Sequence, residues 1–237
     1  MTKLLLASGC SYTAVGENKS WPDYLSSSLE CNHINYARIS AGNRYISSSI
    51  IYGVTEALKT HSPGDILVGV IWSGISRGSI FKTNINTNHI TCSWPSHNPI
   101  GFIDTNWIIT NHHWDDRVST AYYSSIYDDV GGEIESLEHV LRVQWFLESK
   151  KIKYFMSTFA PGSIPKLPNK HTEHLIGQVD WTKFLPIDNY MSWCIGSNIP
   201  VAKSDEHLPL HFMHPTVEHH TEFVNKIIVP FIGNQAT

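Results

Sequence analysis

The sequence predicts an α/β protein in which a parallel sheet is covered by helices on both faces. Three observations point there. Short apolar runs such as Leu4–Ala7 and Ile66–Trp72 lack any alternation of apolar and polar residues, as strands buried on both faces do. Stretches with helical period separate those runs. Turn residues, among them Pro63-Gly64, mark the junctions. Strands alternating with helices imply crossover connections and a three-layer α/β/α arrangement.

Each element follows from its residues. Leu4–Ser8 reads as a first strand that breaks at Gly9-Cys10-Ser11. Ser20 is placed to cap a helix with Pro22 in its first turn, running to about Leu29. Asn32–Ala37 is the second strand. After Ser40-Ala41-Gly42-Asn43 comes a helix carrying Ile46, Ile50, Ile51, Val54 and Leu58 on one side. Asp65–Trp72 is the strongest strand. Residues 76–130 have no clear period and are rich in Asn, Thr, Ser, His and Trp. So long a stretch is expected to be an elaborated insertion with short helices near Trp114–Asp129. Ser136–Lys150 is an amphipathic helix that leads to the strand Lys153–Phe159. A second, Pro-rich insertion spans about 160–195, and the last helix starts near Thr216 and passes through Phe223, Ile227 and Ile228.

Composition narrows the function classes. At 237 residues the chain is expected to be a single domain with these two insertions. It is large enough to bury a core without disulfides or metal. Charged residues make up 16% and the net charge is −4, which argues against a nucleic-acid binder and against a polybasic membrane-surface protein. The four cysteines form no CxxC pair and define no disulfide framework. The longest apolar run is far shorter than the ~20 residues of a membrane span. Leu4–Ala7 is likewise shorter than a signal-peptide core of ~7–15 residues, so a cytoplasmic location is the default expectation. Action outside the cell, a homo-oligomer and membership of a larger assembly all stay open.

Ligands of open parallel sheets bind beyond the carboxyl ends of the strands. The first strand ends at Ser11, and the second is followed by Gly42, which permits close backbone approach. His214-Pro215-Thr216 precedes the last helix, where a histidine can lie over the same crevice. Trp72 and Arg77 flank the end of the third strand and are candidate substrate contacts. Arg77 is either a contact for a substrate anion or the partner of a nearby carboxylate.

Together Gly9-Cys10-Ser11-Tyr12-Thr13, the Asn35–Gly42 segment and His214-Pro215-Thr216 resemble the SGNH (GDSL) hydrolases, serine esterases of flavodoxin-like fold. The resemblance runs over nearly the whole chain. It implies Ser11 as nucleophile, His214 as general base and the Gly42 amide as an oxyanion-hole donor. It implies no cofactor and no metal. Two positions depart from the family pattern. Ser73 stands where the oxyanion-hole Asn is expected, and a hydroxyl donates with a different reach. His211 stands where the triad Asp is expected, and a histidine cannot supply the carboxylate that orients the base. Asp205, the nearest aspartate upstream, takes that role if the loop folds back. On this reading the chain cleaves an ester through an acyl-enzyme. Its Trp-rich insertions (Trp94, Trp107, Trp114, Trp181, Trp193) suit an acetylated carbohydrate. The alternative is a catalytically weak or inactive SGNH fold that binds glycans or serves an assembly.

Two further patterns compete. Gly74-Ile75-Ser76-Arg77-Gly78 has the spacing of a nucleophile elbow, but the polar, aperiodic residues after it do not suit the helix that such an elbow requires. His207, His211, His214, His219 and His220, with His112-His113, suggest a metal, but no Cys or carboxylate completes a ligand spacing, so no metal is expected.

Overall fold

The structure is a computed structural model, and it describes residues 2–14, 19–81, 107–111, 115–199 and 214–234. Its centre is a four-stranded parallel sheet of β1 (Leu4–Gly9), β2 (Asn32–Asn35), β3 (Ile66–Trp72) and β6 (Lys153–Thr158), in the order β2-β1-β3-β6. β1 and β3 are buried along their whole length. That explains their largely apolar sequences, because each face carries its own core.

On one face, Leu4, Leu6, Val68, Val70, Trp72 and Met156 pack against α2 (Asn43–Ala57) and α4 (Asp129–Ser149). On the other, Leu5, Ala7, Leu67, Ile71 and Phe155 meet α1 (Trp21–Ser28) and the C-terminal helices. Gly69 makes room on that second face. A Cβ there would lie 2.6 Å from the Trp21 ring, so the missing side chain lets the indole sit against the sheet.

The helices largely have the expected starts. Ser20 and Asp23 form a capping box at α1, with Asp23 accepting the Ser20 amide at 2.9 Å. The exception is α4, which begins at Asp129, seven residues before the expected Ser136. Asp128 caps it, and Gly131-Gly132 lie inside the helix. A Cβ on Gly132 would lie 2.9 Å from Ile75 O, so a glycine that weakens the helix locally lets it approach the segment after β3. β2 stops at Asn35, where the expectation was Ala37. The Asn35 Oδ1 turns back to the Ala37 amide at 3.0 Å, although Tyr36 N and Arg38 N still bond to β1 carbonyls.

The described parts of the two insertions carry regular elements. β4 (Arg77–Phe81) and β5 (Trp107–Asn111) pair antiparallel, and α3 (Arg117–Ser125) follows with Asp116 as its cap. The second insertion contains α5 (Glu173–Ile176), a 3₁₀ turn at Trp181–Lys183 and α6 (Tyr190–Gly196). Between them Phe184 bridges Met156 in parallel and Leu185 N donates to Met156 O at 2.8 Å, so this segment runs along the edge of β6 opposite β3. Thr216 caps α7 (Val217–Phe223), which continues through a π-helical turn, Val224–Ile228, into α8 (Val229–Asn234). Pro230 has no N–H to return to Lys226 and coincides with that widened turn. Among the described residues no helix is long and apolar enough to cross a membrane.

Candidate active site

The chain leaves β1 toward β2 on one side and returns to β3 on the other. The crevice between the carboxyl ends of β1 and β3 is therefore the topological switch point. Gly9 pairs with Ile71, so Ser11 and Ser73 each lie two residues past the last matched pair. The turn after β1 is a single helical turn, with Thr13 N and Ala14 N both donating to Cys10 O at 2.9 Å. As at any helix start, the amides that precede these two are not consumed by the turn.

Thr13 holds that turn in place. It is fully buried. Its carbonyl accepts from Ser20 Oγ at 2.9 Å and from Asn35 Nδ2 at 2.6 Å, and its hydroxyl accepts from Trp21 Nε1 at 3.1 Å. Ser11 is half-buried on this anchored turn. His214 is exposed, and its ring lies 5.4 Å from that of Tyr12, the residue next to Ser11. The structure thus brings the first and last predicted segments to one rim. Tyr12 also packs edge-on against Phe159 at 5.4 Å and Tyr190 at 5.7 Å. Burial raises its phenol well above the ordinary value, with Cys10 and Cys194 adding to the rise and the Arg77 guanidinium opposing it.

The other predicted residues are placed differently from their expected roles. The Gly42 amide donates to Ser79 Oγ at 2.9 Å and is already engaged, which corrects its assignment as an open oxyanion donor. Its glycine has another reason: a Cβ there would fall on Arg77 O and lie 2.9 Å from Ser79 Oγ. Ser73 is fully buried, its amide donating to Asn43 Oδ1 at 2.8 Å and its carbonyl accepting from Asn43 Nδ2 at 3.2 Å. Asn43 also donates to Ser136 Oγ at 2.9 Å, so one side chain ties the end of β3 to α4.

Trp72 is not a substrate contact. It is fully buried in the α2–α4 core, with Nε1 directed at Met156 Sδ. Trp107 is likewise core, packed against Tyr45 at 5.5 Å. Arg77 is half-buried, its Nη1 3.2 Å from Ser73 Oγ and its guanidinium 4.6 Å over the Phe159 ring. Among the described residues no carboxylate is within ion-pair distance of it. Asp205, His207, His211, His112, His113, Trp94 and Trp114 lie outside the described residues. Ser76 sits in a turn closed by Arg77 N to Gly74 O at 3.1 Å, and the chain goes on into strand β4 where a nucleophile elbow would open a helix.

Two other serine–histidine–carboxylate sets exist that the sequence did not reveal. Ser26 Oγ lies 3.0 Å from His33 Nδ1, with Asp23 Oδ1 3.5 Å from the far nitrogen. Ser47 Oγ lies 3.0 Å from His139 Nδ1, with Glu135 Oε1 3.5 Å beyond. In both, the serine is buried in a helix and donates to the carbonyl three residues back, Asp23 O at 3.0 Å and Arg44 O at 3.1 Å. A hydroxyl spent on its own helix and closed off from solvent is a packing group, whatever its histidine does.

Beside the crevice, Tyr190 and His220 form a buried pair. The Tyr190 hydroxyl meets His220 Nδ1 at 2.6 Å, and the phenol stacks on Phe223 at 3.9 Å. Burial pushes the His220 imidazole down to about 3, and the neighbouring His219 and His214 add to the fall. Tyr190 opens α6, whose Trp193 also lines an open groove of about 960 Å³ beside the Phe184–Leu185 segment that borders β6. Trp181, Phe184 and Phe231 supply its aromatic wall, and Lys166 and Asp188 its polar groups.

A family model described as "Family of unknown function (DUF6071)" matches residues 8–236, a span that includes Ser11, Gly42, Ser73, Arg77 and His214. No curated protein matches the chain.

Proposed function

We propose that this chain, which belongs to the DUF6071 family of unknown function, is a serine hydrolase of the SGNH type that cleaves an ester. One observation carries the reading: the turn bearing Ser11 at the switch point lies against the imidazole of His214, from the opposite end of the sequence. In this mechanism Ser11 Oγ attacks the ester carbonyl carbon while its proton passes to His214. The carbonyl electron pair moves onto the oxygen. Collapse breaks the bond to the alkoxy group, which leaves with the proton held by His214. Water then repeats the sequence on the acyl-enzyme, returning the proton to Ser11. Asp205 is the carboxylate proposed to orient His214.

The substrate class is an O-acetylated carbohydrate. Its support is the groove beside β6, where Trp181 and Trp193 offer ring faces for sugar C–H stacking next to Lys166 and Asp188 for hydroxyl groups. A second reading, a glycan-binding or assembly module without turnover, is favoured by one observation, the engagement of the Gly42 amide by Ser79.

A fluorophosphonate probe followed by peptide mapping separates the two. Modification at Ser11, abolished in S11A and slowed in H214A and D205N, is the expected result. Modification at Ser26, Ser47 or Ser76 refutes the assignment. Absence of any modification, together with glycan binding that W193A weakens, establishes the module.

A further inference from the structure

The crevice as built lacks two of the neutral donors that an acyl-transfer site would use. The Gly42 amide is held by Ser79 Oγ at 2.9 Å, and the Ser73 amide is held by Asn43 Oδ1 at 2.8 Å. A cation stands at the same place. Arg77 Nη1 reaches Ser73 Oγ at 3.2 Å, and the guanidinium carbon lies 4.6 Å from the centroid of the Phe159 ring, on which the Tyr12 ring also packs. Ser73, just past β3, and Phe159, just past β6, therefore locate the fork at the carboxyl ends of those two adjacent strands, and Tyr12 on the same Phe159 ring links it to the Ser11 turn. Five N–H groups in a planar fork are more than the one bond to Ser73 uses.

Resting on the esterase reading of Ser11, we propose that Arg77 is the oxyanion-stabilising residue of this site, its free N–H groups donating to the oxygen on which charge develops. The Ser73 hydroxyl acts as a positioning group that fixes the fork. When Ser11 adds to the carbonyl, the negative charge appears on the former carbonyl oxygen. Arg77 donates hydrogen bonds to it and transfers no proton, so the charge returns to the carbon–oxygen π bond when the alkoxy group leaves. A charged donor in a half-buried site is stronger than a neutral amide. The assignment also accounts for serine at the position where an asparagine side chain would otherwise donate, since the shorter side chain leaves the space to the guanidinium.

The test uses the full chain and para-nitrophenyl acetate, with fluorophosphonate labelling of Ser11 in parallel. R77M keeps the aliphatic stem over Phe159 and removes every donor. It is expected to lower kcat by about 100-fold with KM moved less than about threefold, and to slow labelling to match. R77K, which keeps charge but not the fork, falls between, and S73A loses about fivefold to tenfold in kcat by freeing the fork. In R77A, added guanidinium ion at sub-denaturing concentration restores part of the rate, which a purely structural arginine would not permit. A KM effect with unchanged kcat overturns the proposal, because it assigns Arg77 to ground-state binding. Wild-type labelling at Ser11 with R77M labelled equally fast overturns this proposal alone. A wild type unlabelled at Ser11 overturns the esterase reading and this proposal with it.

Discussion

The indole of Trp21 donates to the hydroxyl of Thr13 at 3.1 Å, which bolts the turn carrying Ser11 to α1 as well as to the sheet. Both residues are fully buried. The position of the candidate nucleophile is thus decided by a hydrogen bond made inside the α1 layer, two residues along the chain from the group that it places.

Replacing Thr13 by valine keeps the volume and removes the acceptor. The buried Trp21 N–H is then unsatisfied, and the expected loss is about 1–3 kcal/mol in urea unfolding. Fluorophosphonate labelling of Ser11 is expected to slow as well, since the turn loses one of its anchors. Unchanged labelling in a destabilised T13V would separate the anchor from the chemistry.

Asn43 makes three side-chain bonds, to both backbone groups of Ser73 and to Ser136 Oγ. N43A leaves the buried Ser73 amide without its acceptor and cuts the tie between β3 and α4. A loss of about 3 kcal/mol in chemical denaturation is expected. N43D keeps an acceptor for the amide but brings a carboxylate against the Ser73 carbonyl, and no recovery is expected.

G42A tests the close approach of α2 to β4. Its Cβ would collide with the Arg77 carbonyl, a backbone atom that cannot rotate away. The expected cost is about 1–3 kcal/mol, read as a lowered Tm. Because Arg77 itself is displaced, the rate of the proposed esterase reaction is expected to fall more than stability alone explains.

His220 makes stability depend on pH with a definite sign. Its folded-state pKa is held at about 3, below the ordinary value of 6.5, because the neutral ring is buried against Tyr190. Below pH 6.5 the unfolded chain takes up a proton that the folded chain refuses. The stabilisation is therefore complete above 6.5 and is lost as pH falls toward 3, at about 1.4 kcal/mol per pH unit from this group. Asp23 acts in the same direction. Burial pushes its carboxyl up, but the hydrogen bonds from His33 and the Ser20 amide outweigh that and hold it below the usual range. In H220Q the slope between pH 6.5 and 4 is expected to flatten. An unchanged slope would assign the acid sensitivity to other groups.

The parallel sheet, its helices and the two rim segments were legible in the sequence. A buried parallel strand must be apolar on both faces, and a helix packed on it must carry apolar residues at its own period, so both leave a local record along the chain. Leu4–Gly9, Ile66–Trp72 and the Ile46–Ile50–Val54 stripe are such records. The start of α4 left none, because Gly131-Gly132 reads as a break until Ile75 O is seen against Gly132. The site divides in the same way. Ser11 and His214 stand at a strand end and before a helix start, positions that the sequence marks, while the roles proposed for them come from the family resemblance. That the Gly42 amide is taken by Ser79, that Trp72 turns into the core, and that Arg77 lies between Ser73 and Phe159 depended on tertiary contact between segments up to 84 residues apart. Hydrogen bonds and ring contacts of that kind have no period along the chain. Only folding brings the partners together.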